Sequence, residues 1–343
     1  MMKILNLFFF ICLFIGCSKD DNPIATNSSN VFSLTESMSV PRREHAAVLL
    51  PDGKVLICGG YIEASALSSC EIYDPSSGKW SSSSSMNSPR YGHTATLLPT
   101  GKVLVTGGEG TSRDLTSCEI YDTQNKTWSL TDSMSAPRVG HSAIILPNGK
   151  VLIVGSYKKS CELFNINTLK WEITDTIPES GSNTNLLPNG KVLVVCANTL
   201  PASQSCYLYD YQIGKWSLTG LVKNTITNYA TSILHNGMVL VFGGYSDKSC
   251  EIYDPTTGTW NYTGSLAFSR TNHRCIVLQN GKAIVIGGGS AIGEIYDPTS
   301  KVWTKTSPAN YDRYGYTATL LTDGRVLIAG GLYNNNSCEI FNP

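Results

Sequence analysis

All six tryptophans of this 343-residue chain occupy one position of a repeated unit. They stand 43 to 48 residues apart, at Trp80, Trp128, Trp171, Trp216, Trp260 and Trp303. A Gly-Lys-Val-Leu element or a close variant recurs seven times, with its glycine at Gly53, Gly101, Gly149, Gly190, Gly237, Gly281 and Gly324. A fixed period of this length is typical of repeat architectures. The repeats therefore predict one array of seven units over residues 31–343, although length alone would suggest about two domains.

Each unit reads as four β-strands. The first strand ends in a Pro-Asp-Gly or Pro-Asn-Gly sequence, as at residues 51–53 and 147–149, which is a tight hairpin signal. The second strand is apolar at consecutive positions, as in Val151–Val154, so both faces of its sheet must be buried. It ends at a glycine pair, and a Glu-Ile-Tyr-Asp strand and the tryptophan strand follow.

The two ends of the array predict a closed ring. A sheet buried on both faces must lie between two similar sheets, and radial packing around an axis provides this for every copy. Residues 31–42 align with residues 127–138, which places Phe32 at a tryptophan position, and the chain stops at Pro343 after a third strand. We therefore expect the first strand to complete the last blade, which removes two sheet edges.

The repeated motifs resemble the kelch family. Arg90, His93, the Gly107-Gly108 pair, Tyr121-Asp122 and Trp128 follow the family's order, and the resemblance covers residues 31–343. It implies an all-β, seven-bladed kelch-type propeller. Blade four departs from the pattern, because Cys196-Ala197 replaces the glycine pair, Ser182 replaces the histidine and Glu179 stands at the arginine position. We expect it to be the most irregular blade.

Kelch propellers commonly bind peptides or glycans at the mouth where blade-to-blade segments and second-to-third loops meet. The resemblance implies arginines that bind acidic groups and aromatic residues that stack on the ligand. On this basis the candidate ligand-binding residues are Arg42, Arg90, Arg138, Arg270, Arg313, Tyr61, Tyr157, Tyr245, Glu63, Glu109, Arg113 and Asp114. Glu63, Glu109, Arg113 and Asp114 lie in the long, unrepeated loops of blades one and two, which are the better candidates.

A scaffold role is the alternative for the repeated residues, because a ligand lacks sevenfold symmetry. Blade four lacks both the arginine and the glutamate that follows the repeated cysteine position, where it has Tyr207. An Arg–Glu pair within each blade explains this joint loss. Blade five fits less well, since it keeps Glu251 but has Ile226 at the arginine position. Histidine aligns in four blades, at His45, His93, His141 and His273, and tyrosine replaces it at Tyr229 and Tyr316.

The sequence predicts neither a metal site nor a disulfide framework. No H-x-x-x-H or C-x-x-C spacing occurs, and zinc would need aligned histidines from separate blades to converge on one point. Six of the 11 cysteines share one repeat position, so they lie in different blades and cannot bridge one another. Cys58 could face Cys70 across a hairpin. We expect a small buried apolar role for the repeated cysteines.

The N-terminus has the features of a targeting segment. Lys3 precedes a largely apolar stretch at residues 4–15, which is too short to span a membrane comfortably. Residues 14–17, Phe-Ile-Gly-Cys, resemble the lipobox of bacterial lipoproteins, which implies a signal peptide over 1–16, lipidation of Cys17 and a polar tether over 17–30. Ordinary secretion with cleavage near Gly16 is the alternative. Ser18 resembles an outer-membrane sorting signal, and Lys19-Asp20-Asp21 resembles a signal for surface exposure.

The charge composition limits the classes of partner that the protein is expected to bind. The 26 Lys and Arg balance 26 Asp and Glu, and only 15% of residues are charged, so nucleic acid is not an expected partner. We expect a monomeric, non-enzymatic binding protein of the cell envelope that recognises protein or glycan, needs no cofactor and touches the membrane only through its lipid. The alternative is a kelch-type carbohydrate enzyme resembling a sialic-acid mutarotase or galactose oxidase. The oxidase's Tyr-His dipeptide is absent, and Asp312, Arg313 and Glu109 are the only acid–base candidates.

Overall fold

The computed structural model describes residues 30–156, 158–179, 181, 183–196, 204–224, 228–244, 247–332 and 335–343. All the secondary-structure elements found among these described residues are β-strands. In this part of the chain no helix is long and apolar enough to cross a membrane.

The strands form seven antiparallel four-stranded sheets. Blade one contains β2 (Ala46–Leu49), β3 (Val55–Cys58), β6 (Cys70–Asp74) and β7 (Lys79–Ser83), with the hairpin β4 (Tyr61–Ile62) and β5 (Ser65–Ala66) in its second-to-third loop. Blade two contains β8 (Thr94–Leu97), β9 (Val103–Thr106), β10 (Cys118–Asp122) and β11 (Thr127–Thr131). Blade three contains β12 (Ser142–Ile145), β13 (Val151–Val154), β14 (Glu162–Asn165) and β15 (Lys170–Ile173).

The remaining blades repeat this order. Blade four contains β16 (Asn183–Leu186), β17 (Val192–Val195), β18 (Cys206–Asp210) and β19 (Lys215–Leu218). Blade five contains β20 (Ala230–Ile233), β21 (Val239–Phe242), β22 (Cys250–Asp254) and β23 (Thr259–Thr263). Blade six contains β24 (Arg274–Val277), β25 (Ala283–Ile286), β26 (Ile292–Asp297) and β27 (Val302–Pro308). Blade seven contains β28 (Thr317–Leu320), β29 (Val326–Ala329), β30 (Cys338–Asn342) and β1 (Val31–Thr35).

The ring closes as the sequence predicts. β1 pairs with β30 in antiparallel register, with Phe32 opposite Phe341 and their ring centroids 4.9 Å apart. The first strand of every blade lies beside the first strands of both neighbouring blades, and β2 contacts both β28 and β8. The fold is therefore a closed seven-bladed propeller.

Seven apolar clusters fill the seven spaces between adjacent sheets. One cluster joins blades seven and one, for example, and contains Met38, Val55, Ile57, Leu327 and Ile340. The second strands are buried along their whole length because both of their faces contact a neighbouring blade. Their continuous apolar sequence follows from this packing.

The repeated tryptophans join blades at the outer rim. The Trp80 indole N–H donates to the Glu36 carbonyl at 2.8 Å, and the other five tryptophans donate in the same way to the segment that follows the preceding blade's fourth strand. Phe32 has no such donor. At that boundary the Ser307 hydroxyl instead donates to the Asn30 carbonyl at 3.0 Å.

Candidate functional site

The blade-to-blade segments and the second-to-third loops meet on one side of the ring, which we call the loop face. Isolated backbone bridges join Arg43 to Tyr61 and Tyr91 to Glu109 there. At its centre, around the propeller axis, lies a cavity of about 540 Å³, which we call the mouth cavity. Its lining includes Glu44, His45, His93, His141, Asn183, Asn228, Asn272, His273, Arg274 and Tyr314.

The five repeated arginines lie inside the blades. Their side chains have at most 1% exposure, and each guanidinium forms an ion pair with the glutamate on its own blade's third strand. The pairs, with Nη2–Oε1 distances of 2.8–3.0 Å, are Arg42–Glu71, Arg90–Glu119, Arg138–Glu162, Arg270–Glu294 and Arg313–Glu339. This burial does not fit the interpretation that the arginines contact a ligand at the mouth. It fits the alternative, in which they belong to the scaffold.

Each pair fastens a blade-to-blade segment to its blade. In blade one, Arg42 also donates to the Gly59 carbonyl at 2.8 Å, and Glu71 accepts backbone N–H groups from Ser39 and Val40 at 2.8 and 3.2 Å. A buried charge pair stabilises a fold only when its remaining hydrogen-bonding groups are satisfied. These additional hydrogen bonds satisfy much of the remaining hydrogen-bonding capacity of the Arg42–Glu71 pair.

Blade four shows what happens when the pair is lost. Glu179 occupies the arginine position and accepts hydroxyl hydrogen bonds from Ser205 at 3.0 Å and Tyr207 at 3.4 Å. Neutral hydroxyl donors therefore replace the guanidinium there. In blade five, Glu251 still accepts backbone N–H groups from Lys223 and Asn224, while Ile226 lies outside the described residues.

The histidines are buried at the blade boundaries. His45 Nε2 lies 2.8 Å from the Thr317 hydroxyl, and His141 Nε2 lies 2.8 Å from that of Thr106. Burial, strengthened by the neighbouring arginine, lowers the pKa of His93 and of His141 to about 3 and that of His273 to about 4. These imidazoles are therefore neutral at physiological pH.

In the two blades that have tyrosine at the histidine position, the tyrosine hydroxyl forms a hydrogen bond of its own across the blade boundary. The Tyr316 hydroxyl donates to the Ile286 carbonyl at 2.5 Å, and the Tyr229 hydroxyl donates to the Val195 carbonyl at 2.7 Å. The glycine pairs allow adjacent blades to approach each other closely at this boundary, because a side chain there would clash with the neighbouring blade. A Cβ at Gly59 would lie 2.5 Å from the Arg90 carbonyl oxygen and 2.7 Å from His93 Cε1.

The residue before each histidine position forms the rim of the mouth cavity. At six of the seven positions the backbone φ is positive, between 51° and 64°, at Glu44, Gly92, Gly140, Asn228, Asn272 and Gly315. Glycine and asparagine tolerate this conformation, whereas a glutamate there is uncommon. Such strain costs on the order of 1–3 kcal/mol and is concentrated at functional sites. Glu44 is exposed, so its carboxylate is available to a ligand.

Aromatic residues from blades one and two meet beside this rim. The rings of Tyr61 and Tyr91 lie 4.8 Å apart at 51°, and the Arg43 guanidinium lies 4.9 Å from the Tyr61 ring centroid. A second cavity, of about 350 Å³, is lined by Arg43, Tyr61, Glu63 and Leu332, among others. The turn of the β4–β5 hairpin consists of Glu63 and Ala64, which both have positive φ where Asn-Gly is usual.

The blade-two loop adds charge to the same surface. Glu109 forms backbone bridges with Tyr91 and Asp114, while Arg113 and Asp114 are exposed. Burial, a hydrogen bond with Glu109 and the negative charges of Glu109 and Glu44 raise the pKa of Tyr91. Its hydroxyl therefore stays protonated and can donate a hydrogen bond. We call the surface formed by residues 43–44, 61–64, 91 and 109–114 the blade-one/two patch.

Of the residues proposed from the sequence, Tyr61, Glu63, Glu109, Arg113 and Asp114 lie in the blade-one/two patch, and their role in ligand binding stays a prediction. Tyr157, Tyr245 and Cys17 lie outside the described residues. Sequence reasoning missed Arg43, Glu44, Tyr91, Arg274 and Tyr314 at the mouth. The signal was present for Glu44, because its aligned positions hold only glycine or asparagine.

Among the described residues no group of three or more His, Cys, Asp or Glu side chains is arranged to hold a metal ion. Nε2 of His45 and of His141 lies against a hydroxyl, that of His93 lies 3.6 Å from the Cys58 thiol, and the His273 ring packs against the Phe242 ring.

The described residues form a closed seven-bladed propeller with a polar mouth and an aromatic patch beside it, and this arrangement defines the class of protein. The sequence matches the KLHDC2/KLHL20/DRC7 Kelch-repeats domain over residues 22–195 and the Kelch motif over residues 227–267. The chain belongs to the kelch-repeat family. No curated protein matches it in sequence.

One similar solved structure is a fungal alcohol oxidase with catalytic diversity among the AA5 family, in complex with copper. The two share 18% sequence identity at a TM-score of 0.76, over 92% of this chain and 77% of the oxidase. At this identity the similarity shows the shared fold alone.

Replacing His93 by tyrosine should reduce the acid sensitivity of the fold. Unfolded histidine protonates near pH 6.5, whereas folded His93 resists protonation down to a pKa of about 3. His93 therefore contributes stability above pH 6.5 that is lost as pH falls. In His93→Tyr, which copies blade seven, the loss in unfolding free energy between pH 7 and pH 5 should shrink by about 2 kcal/mol.

Urea unfolding at the two pH values measures this difference. The exposed turn residue Thr100, which carries no titratable group, supplies the control, and Thr100→Ala should leave the pH 7 to pH 5 difference as in the wild type. An unchanged difference in His93→Tyr, with the fold intact, would contradict the assignment of a neutral buried imidazole.

Proposed function

We propose that this protein is a non-enzymatic, lipid-anchored binding protein of the cell envelope, which recognises a protein or glycan at the blade-one/two patch. The observation that carries this proposal is the separation of repeated from unrepeated residues. The repeated arginines and histidines are buried in contacts within and between blades. The unrepeated Glu63 and Arg113 are exposed at the surface of the loop face, and Tyr61 is half-buried there.

The chemistry of the patch suits a polar ligand with an apolar face. Tyr61 and Tyr91 offer adjacent rings, which stack on sugar or side-chain surfaces at low entropic cost. Glu44, Glu63, Glu109 and Asp114 accept hydrogen bonds, and Arg43 and Arg113 donate them. Both cavities open beside the patch, and concave sites with a few placed polar groups are typical of ligand binding.

The anchor rests on the N-terminal sequence. The lipobox-like residues 14–17 support lipidation of Cys17, and the polar stretch that follows would hold the propeller away from the membrane. Ser18 and the following Lys-Asp-Asp support the outer membrane and its outer surface. We propose that the propeller acts as a monomer and contacts the membrane only through its lipid.

A carbohydrate enzyme remains the second candidate, because the copper alcohol oxidase shares the fold. The described residues give it little support. Arg313 is buried against Glu339, Asp312 is exposed, and Glu109 hydrogen-bonds to Tyr91. Turnover of an aldose or sialic acid by the purified protein, lost on replacement of Glu109, would favour the enzyme over the binding protein.

Removing the side chains of the blade-one/two patch should abolish ligand capture while the fold survives. We expect Tyr61→Ala with Glu63→Ala, Glu109→Ala and Arg113→Ala to weaken binding at least about tenfold, as loss of interface hot spots does. Glycan arrays and pull-downs with the purified chain measure capture. Thermal unfolding checks the fold.

Exposed residues on the opposite side of the ring provide the matched control. Thr100→Ala with Gln124→Ala changes the side that carries the first-to-second hairpin turns and should leave capture intact. Normal binding by the patch variant, or loss of binding in this control, would show that the face is wrongly assigned.

Replacing Cys17 by serine should release the protein from the membrane. A thioether-linked lipid needs the cysteine sulfur, so Cys17→Ser should move the chain from the membrane fraction to the soluble fraction. Protease treatment of intact cells then reports which side of the outer membrane the wild-type propeller faces. Retention of Cys17→Ser in the membrane fraction would contradict the anchor but not the binding patch.

A further inference from the structure

Two cysteines of blade one lie directly opposite each other on neighbouring strands. In the β3–β6 register Cys58 pairs with Cys70, and both side chains are buried. The next pair, Gly59 with Ser69, is hydrogen-bonded, because the Gly59 N–H donates to the Ser69 carbonyl at 3.1 Å. Since hydrogen-bonded and non-hydrogen-bonded pairs alternate, Cys58 and Cys70 form a non-hydrogen-bonded pair. At such pairs the Cα atoms are about 4.5 Å apart and the side chains come closest.

The other blades provide internal contrasts. The residues opposite the repeated cysteine are Thr106 for Cys118, Val195 for Cys206, Phe242 for Cys250 and Ala329 for Cys338. Among these described pairs, blade one alone places a second thiol at this position. A disulfide requires Cα atoms about 4.4–6.8 Å apart, and the spacing of about 4.5 Å that is typical of a non-hydrogen-bonded pair falls within this range.

We propose that Cys58 and Cys70 form a cross-strand disulfide that closes the base of the blade-one loop, residues 59–69. The loop carries Tyr61 and Glu63 of the blade-one/two patch, so the bond would fasten the proposed binding loop to the second and third strands of blade one. The formation of this bond in the cell rests on the proposed envelope location, where disulfide oxidants are present. Its formation in the purified protein does not depend on that location.

The chemistry is thiol–disulfide exchange with a disulfide oxidant such as oxidised glutathione. One cysteine thiolate attacks the oxidant and forms a mixed disulfide, releasing one reduced thiol. The second thiolate displaces the other half, so two protein thiols become one disulfide and the oxidant's disulfide becomes two thiols. All nine described cysteines are free thiols in the structure.

Because Cys58 and Cys70 are buried in the folded propeller, the exchange takes place before the propeller closes. Hydrogen bonding with Cys70 and loss of solvent raise the pKa of the Cys58 thiol well above its ordinary value. A buried thiol that resists ionisation is unreactive. The bond therefore forms while the β3–β6 hairpin is still exposed to solvent, and it is protected from reductant afterwards.

Peptide mapping tests the inference, because trypsin releases both cysteines in one peptide, residues 55–79. The full-length protein is unfolded in reductant, refolded in a glutathione redox buffer in mild detergent, alkylated under denaturing conditions and digested. We expect the 55–79 peptide without alkyl groups and two hydrogens lighter than its dithiol form. The 114–126 peptide, which contains Cys118 alone, should carry one alkyl group.

Two alkyl groups on the 55–79 peptide throughout the redox range would overturn the inference. So would Cys70 linked to cysteines of other blades. Failure of ligand capture or of membrane anchoring would leave this result untouched, so the two proposals fail separately.

Serine variants test the effect of the bond on stability. Closing a loop of this length stabilises the fold, so reductant present during unfolding should lower the thermal midpoint of the oxidised wild type by several degrees. Cys118→Ser should respond in the same way, whereas Cys58→Ser and Cys70→Ser should not respond. An equal response of Cys58→Ser and the wild type would contradict a Cys58–Cys70 bond.

Discussion

Burial of every sheet on both faces is the constraint on which this structure depends. The second strands are apolar without interruption and have almost no exposed surface. An open row of such sheets would expose one apolar face at each end. Pairing β1 with β30 avoids this, because the strand that leads the chain becomes the outer strand of the last blade and seven sheets enclose seven apolar clusters.

Polar residues hold the blades in position within this apolar packing. The Arg–Glu pairs fasten the blade-to-blade segments, the histidines and tyrosines bridge neighbouring blades, and the tryptophans do so at the rim. These residues recur because each blade needs the same contacts. Recognition of an asymmetric ligand needs residues that differ among blades, and the described structure offers them in the loops of blades one and two.

Repetition allowed the sequence to predict the fold in detail. The blade number, the four strands, the ring closure at Phe32 and the pairing of arginine with glutamate could all be read by aligning the units with one another. Blade four was informative because Glu179 and Tyr207 changed together, and the structure places them in contact. The candidate site was harder to predict, since repeat alignment carries no information about contacts between unlike loops.

The interaction of Arg43, Tyr61 and Tyr91 illustrates that limit. Tyr61 follows the glycine pair of blade one, whereas Tyr91 precedes the first strand of blade two. Their contact depends on where the strained β4–β5 hairpin projects, which no spacing in the sequence specifies. For the five repeated arginines the sequence left two roles open, ligand binding and pairing with a glutamate of the same blade, and their buried ion pairs fit the second.

Substitution along β1 tests ring closure most directly. The Phe32 ring packs at a tilt against the Phe341 ring, whereas Leu34 on the same strand is 59% exposed. Phe32→Ala should lower the unfolding free energy by about 2–4 kcal/mol, and Leu34→Ala should change it by no more than about 0.5 kcal/mol. Urea unfolding of both variants gives the comparison. Equally small effects would show that the first strand does not hold the ring closed.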